Sequence, residues 1–140
     1  MKKRGLWMVA GAVATVVVAL GLLAFAGSED AATTVTGSSD HYDVRLRLDR
    51  LTTSTTTVDI EVTGRGRDAG ELEGASVEAV MERMGHAMPS LTAKPLGEGR
   101  FRARGELFVM AGEWQVGVRL RTAGGASELA TVSVVVPSGA

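Results

Sequence analysis

From residue 41 onward, apolar and polar residues alternate along the chain with a period of two. A β-strand places successive side chains on opposite faces, so this pattern predicts strands with one face in a core and the other in water. Six segments follow it. The positions that we predict to face the core are Val44, Leu46 and Leu48; Val58, Ile60 and Val62; Val77, Ala79 and Met81; Phe101 and Ala103; Trp114, Val116, Val118 and Leu120; and Val132, Val134 and Val136.

Turn signals rich in glycine or proline separate these segments. A further short strand is expected at Leu91 to Lys94, which brings the count to about seven. No amphipathic helix is predicted after residue 26. Short strands at this spacing, in a domain of about 100 residues, indicate an all-β fold of the immunoglobulin-like β-sandwich type. We assign this domain to residues 41–137.

Lys2, Lys3 and Arg4 precede an uncharged and strongly apolar stretch at residues 5–26. As a helix, this stretch would be about 33 Å long, which is enough to cross the hydrocarbon core of a bilayer. Basic residues before such a stretch keep that end in the cytoplasm. The sequence therefore predicts one transmembrane or signal helix within residues 1–26, with the following domain outside the cytoplasm.

Two interpretations of this N-terminal segment remain open. Its apolar part is longer than that of a usual signal peptide, which favours a single-pass anchor retained in the cell membrane. However, Ala24-Phe25-Ala26 fits the pattern of small residues that precedes a signal-peptidase cut. Cleavage after Ala26 would give a secreted or periplasmic protein. Residues 27–40 are small and polar, which is typical of a flexible linker.

The chain contains no cysteine, so thiolate metal sites and thiol nucleophiles are excluded. Lysine and arginine number 15, aspartate and glutamate number 16, and the two signs are interspersed after Arg4. This distribution lacks the clustered positive charge that nucleic-acid binding requires. The two histidines are not accompanied by a recognisable nucleophile, base and orienting acid. We therefore predict that the protein is not an enzyme.

Residues 81–89, called here the Met-His segment, hold three of the six methionines and one of the two histidines. Thioether sulfur is a soft ligand and imidazole a borderline one. Without thiolate, this combination suits Cu(I) better than zinc, calcium or magnesium. The ordinary alternative is that the methionines fill space in the core and the histidine lies on the surface. Residue types alone leave both interpretations open.

The period of two also predicts how the Met-His segment is oriented, provided that the strand before it continues. Met81 would then face the core, whereas Met84, His86 and Met88 would lie on the solvent face. Alternate residues of a straight strand are about 6.6 Å apart, so a bend would be needed to bring these side chains together.

Three residues outside the segment bear on this prediction. Met110 either supplies another thioether from a neighbouring loop or packs in the core. His41 is expected to be an ordinary surface residue. Trp114 is expected in the core, because it begins an alternating strand.

Several short motifs between Gly74 and Leu120 fit one family in order and spacing. They are Gly74-Ala75-x-Val77, Met84-Gly85-His86-Ala87-Met88-Pro89, Gly97-x-Gly99-Arg100-Phe101-x-Ala103 and Met110-Ala111-Gly112-x-Trp114-x-Val116. On these motifs the sequence resembles the YtkA-like domain family, which is also found near FixH-type membrane proteins. Ala111 departs from the commoner pattern, in which proline often precedes the glycine.

The resemblance implies a small extracytoplasmic β-sandwich that handles copper and takes part in the maturation of a membrane oxidase. It implies Met84, His86 and Met88 as the ligands, and Met110 as a further partner. One hypothesis is therefore a membrane-anchored copper chaperone or assembly factor, whose partner is a membrane oxidase or a copper-handling protein. The other is a metal-free immunoglobulin-like module that docks on a membrane protein complex.

Overall fold

The computed structural model describes residues 31–67 and 69–139. The membrane or signal helix predicted within residues 1–26 lies outside this range. In the part described, no helix is long and apolar enough to cross a membrane. The elements are β1 (Thr33–Ser38), β2 (Tyr42–Leu48), β3 (Thr55–Gly64), β4 (Leu72–Met81), a 3₁₀ turn (Glu82–Met84), β5 (His86–Ala87), β6 (Leu91–Thr92), β7 (Lys94–Gly97), β8 (Arg100–Glu106), β9 (Gly112–Thr122) and β10 (Ser127–Val136).

These strands form two antiparallel sheets. Sheet A has the strand order β1-β2-β3-β8-β7, and sheet B has the order β10-β9-β4-β5, with β6 also paired to β4. The longest ladder joins β9 to β10, from Gly112 opposite Val136 to Arg121 opposite Ser127. The predicted all-β sandwich is confirmed.

The inner faces of the two sheets form one core. Every position that the alternation predicted to face the core is buried. Leu46 and Leu48 from sheet A and Val77, Trp114 and Leu120 from sheet B are 0 % exposed. Removing this much apolar surface from water is the main source of the sandwich's stability.

One strand lies where the sequence predicted a flexible linker. Thr33–Ser38 form β1, which pairs with β2 along its whole length. The strand also packs on β10 of the other sheet. This close approach depends on Gly37, because a Cβ atom there would lie 2.8 Å from Cγ1 of Val132. Strand β1 thus closes one side of the sandwich.

The short strand predicted at 91–94 is divided between the two sheets. Leu91–Thr92 (β6) pair with β4, whereas Lys94–Gly97 (β7) pair with β8. Ala93 lies between them, is buried, and donates its N–H to the carbonyl of Ala75 at 2.9 Å. The chain therefore crosses from sheet B to sheet A here, on the side of the sandwich opposite β1.

Candidate metal-binding site

The Met-His segment reverses direction instead of continuing as a strand. Strand β4 ends at Met81, the 3₁₀ turn follows, and Gly85 takes the left-handed conformation with a φ of +60°. The Gly85 N–H donates to the carbonyl of Glu82 at 3.1 Å. The chain then runs back as β5, so that His86 lies opposite Met81.

This reversal changes the position of His86. Residues directly opposite each other in a sheet share a face, and Met81 is buried. His86 therefore lies on the core side of sheet B, at its edge, where the imidazole is still exposed. Its ring meets the indole of Trp114 edge-on, with the centroids 6.5 Å apart. The solvent-face position was predicted for a strand that continues past Met81, and that condition is not met, because β4 ends there.

Met84 and Met88 lie on either side of His86 in the chain and differ in their surroundings. Met84 ends the 3₁₀ turn and is 66 % exposed. Met88 donates its N–H to the carbonyl of Ala79 at 2.9 Å, and its half-buried side chain packs against the core. Met84 is thus open to solvent as predicted, whereas Met88 is held against β4.

Met110 lies in the loop between β8 and β9 and packs, half-buried, against the core. Its carbonyl accepts a hydrogen bond of 3.0 Å from Nε1 of Trp114. Trp114 is fully buried, as predicted, and also meets Phe108 edge-on at a centroid distance of 5.6 Å. One indole therefore contacts His86 and the backbone of Met110, which places both residues at the same end of the sandwich.

Met81 is a packing residue, as its position in the alternation predicted. It is 5 % exposed. Its Cε atom lies 3.0 Å from the place where a Cβ of Gly112 would be, and Gly112 has a φ of +132°. The side chain of Met81 thus fills the space beside the start of β9.

Trp114 is the residue at this site that the sequence analysis assigned only to the core. Trp114 follows Met110 by four residues in the sequence. Its indole Nε1–H donates to the carbonyl of Met110 across this short loop. Its contact with His86 depends on the reversal at Gly85, and the alternation of β4 gives no sign of that reversal.

The second histidine lies elsewhere. The Nδ1 atom of His41 is 2.8 Å from Oε2 of Glu128, near the start of β10. The Met-His segment lies near Gly112, which is opposite Val136 at the end of β10. His41 is half-exposed, in agreement with the prediction that it is a surface residue, and its partner Glu128 lies at the other end of β10 from the Met-His segment.

Thioethers and one imidazole are thus the side chains at this end of the sandwich that could serve as soft or borderline metal ligands. Both kinds of ligand are uncharged, and together they favour a soft monovalent ion such as Cu(I). Among residues 31–67 and 69–139, no group of three or more His, Asp or Glu side chains is placed to hold a metal ion.

Comparisons with known proteins identify no relative: no family model, curated protein or solved structure matches the chain. The resemblance to the YtkA-like family therefore rests on the quoted motifs.

Proposed function

We propose that this protein is a membrane-anchored, extracytoplasmic copper-binding module that serves as a copper chaperone or assembly factor for a membrane oxidase. The observation that carries the proposal is the reversal at Gly85. It leaves Met84 exposed and brings His86 to the edge of sheet B, beside Trp114. The motifs shared with the YtkA-like family support the same function.

The proposed ligands are Met84, His86 and Met88, with Met110 as a further thioether. They differ in freedom of movement. The ring of His86 rests against a buried indole, whereas the exposed side chain of Met84 can change rotamer easily. A site with one supported imidazole and one mobile thioether suits transfer, because a partner's ligands can replace the thioether before the metal leaves.

The immunoglobulin-like type of the sandwich is part of this proposal. In that fold, one sheet has the order A-B-E-D and the other contains strands C, F and G. The order β2-β3-β8-β7 in sheet A and β10-β9-β4 in sheet B corresponds to these two sets, with β1 added to the first. Both the order of the strands along the chain and their neighbours support the assignment.

The proposed location depends on the N-terminal sequence. Three basic residues followed by the uncharged stretch at 5–26 favour an anchor whose C-terminal side is outside the cytoplasm. Cleavage after Ala26 would instead release the domain into that same compartment. Either route exposes the Met-His segment to extracytoplasmic copper.

Competition titration of the purified full-length chain with Cu(I), against a chromophoric Cu(I) chelator, tests the proposal. We expect the combined substitutions Met84→Leu, His86→Ala and Met88→Leu to lower Cu(I) affinity by at least about tenfold, since loss even of residues that support metal ligands costs this much. Met81→Leu is the matched control, because it removes a buried thioether of the same segment. Equal affinities of the triple variant and the unaltered chain would refute copper binding here.

A second candidate function is the metal-free docking module. The outer face of β10 favours it, because Leu129 and Val135 are 43 % and 62 % exposed there. If this function is correct, the triple variant still supports the membrane protein complex in cells, whereas the double variant Leu129→Ser, Val135→Ser does not. A pull-down from solubilised membranes with each variant distinguishes the two functions.

A further inference from the structure

Strand β1 shows at which end of the sandwich the chain arrives from its N-terminal segment. Along β1 and the turn after it, Gly37 packs on Val132, and then Ser39 and His41 both bond to Glu128. The contacts on β10 thus move towards its start as β1 advances. The first residue of β1, Thr33, therefore lies at the end of the sandwich where β10 finishes.

The Met-His segment lies at this same end. The last residue of β10, Val136, is opposite Gly112 at the start of β9. Met110 precedes Gly112 by two residues, and Trp114, which follows it by two, contacts His86. In sheet A the pairing agrees. Thr33 is opposite the last residue of β2, which lies next to the start of β3, and the first residue of β3 is opposite Glu106, which leads into the loop that holds Met110. The turn between β9 and β10, at residues 123–126, marks the opposite end.

The length of the segment between the predicted membrane helix and β1 limits how the sandwich can be oriented at the membrane. Seven peptide units separate Ala26, the end of the predicted membrane segment, from Thr33, and fully extended they reach at most about 25 Å. Strand β9 alone spans about 34 Å. Strand β10 contacts β1. In sheet B, β10 is separated from β5 by three inter-strand spacings, or about 15 Å. The linker is thus too short for the sandwich to invert, with the turn at 123–126 at the membrane and the Met-His segment outermost.

We infer that the Met-His end of the sandwich faces the membrane, and that the partner is a membrane-embedded protein whose docking surface lies at the membrane surface. This inference rests on the proposed function for the identity of the cargo and on the predicted anchor for the attachment. It excludes a partner that must approach from the open compartment, such as a freely diffusing copper carrier, as the principal one.

The exposed side chains at this end fit such a partner. Met84 is 66 % exposed and Val109, in the loop between β8 and β9, is 41 % exposed. Both are apolar. Met84 is itself a proposed ligand, and Val109 directly precedes Met110. By contrast, the turn at the far end consists of the small residues Ala123-Gly124-Gly125-Ala126. These exposed apolar side chains therefore lie at the end of the sandwich where the chain enters β1.

The cysteine-free chain allows a direct test of this orientation. Single-cysteine variants Val109→Cys and Ala126→Cys are labelled with the same fluorophore, and the full-length chain is reconstituted in phosphatidylcholine vesicles that contain headgroup-nitroxide lipid. We expect quenching several-fold stronger at position 109 than at position 126. Ala111→Cys and Gly124→Cys form a second exposed pair, should a first-pair variant fold poorly.

Two results would overturn the inference: equal or stronger quenching at position 126, or release of the chain from the vesicles by a high-salt wash. Lengthening the segment 27–32 with a flexible glycine-serine insert should reduce the difference between the two positions. None of these measurements involves copper. If the Cu(I) titration fails while position 109 is preferentially quenched, the copper function is refuted and the orientation stands.

Discussion

The imidazole of His86 stands edge-on to the indole of Trp114, with 85° between the two ring planes. Trp114 is fully buried, and its Nε1 atom is committed to the carbonyl of Met110. The position of the exposed histidine is therefore tied to the core of the sandwich and to the neighbouring loop. Changes at Trp114 should affect both stability and the metal-binding segment.

Replacing Trp114 with phenylalanine should lower the free energy of unfolding by about 1–3 kcal/mol. The smaller ring leaves a cavity, and the carbonyl of Met110 loses its donor. Urea unfolding followed by circular dichroism measures the change. Gln115→Ala is the control, because the side chain of Gln115 donates to the hydroxyl of Ser133 on the exposed outer face. Equal stability of the two variants would contradict the structural role of Trp114.

Gly85 and Gly99 provide a matched pair for the effect of a side chain in the left-handed conformation. Their φ angles are +60° and +74°. A Cβ at Gly85 would meet open space, whereas a Cβ at Gly99 would lie 2.6 Å from the carbonyl oxygen of Val62. Gly85→Ala should therefore cost about 1–2 kcal/mol from backbone strain, and Gly99→Ala clearly more.

Thermal and urea unfolding of the two glycine variants give the comparison. The difference between them isolates the clash with Val62, since the cost of the left-handed conformation is common to both. Gly99→Ala unfolding with the same midpoint as Gly85→Ala would show that the turn between β7 and β8 shifts at little cost.

Glu128 should make the sandwich sensitive to acid. Desolvation raises the pKa of its carboxyl group, but hydrogen bonds from the Ser39 hydroxyl, the His41 amide and the His41 ring bring the pKa below its ordinary value. A lowered folded-state pKa stabilises the protein above the unfolded-state pKa, and this contribution is lost as the pH falls through the folded-state pKa. We expect stability to decline below about pH 4.5.

The variant Glu128→Gln should be less stable than the unaltered chain at pH 7, and its stability should depend less on pH in the acid range. Unfolding by urea at a series of pH values provides the measurement. Glu106→Gln, at the exposed end of β8, is the control and should keep the original dependence. Parallel curves for Glu128→Gln and the unaltered chain would exclude this carboxylate as the source.

Strand β1 should be required for a stable domain. A fragment of residues 40–140 loses the pairing with β2 and the packing of Gly37 on β10. We expect it to unfold at a lower temperature than a fragment of residues 31–140, since β2 becomes an unprotected edge. The same midpoint for both fragments in a thermal scan would mean that β1 is dispensable.

The sequence was sufficient to predict most of the core. Positions such as Val44, Ile60 and Val118 are buried because each strand has only one face in the core, and such strands show a period of two. Strand β1 was missed because it lacks this alternation of apolar and polar residues. Its sequence, TTVTGS, contains one large apolar residue, and its inner positions are half-buried by packing on β10, which is distant in the chain.

The candidate site was predicted by chemistry but not by geometry. The residue types of Met84, His86 and Met88 were visible, whereas their orientation depended on whether β4 continued. Gly85 offered the local signal for a reversal, because glycine adopts a positive φ without strain. Whether a glycine uses that freedom is decided by tertiary contacts, and here the pairing of β5 with β4 decides it.

On one side of the sandwich, the edges of both sheets are short and interrupted. Beside β4 lie two strands of only two residues each, with Pro89 between them, and the edge of sheet A at β7 contains Pro95 and a shift in register. Short, interrupted edges give a strand from another molecule few amide and carbonyl groups with which to pair. We therefore expect these two edges to resist pairing with a strand of another copy, even when an anchor concentrates the copies on one membrane.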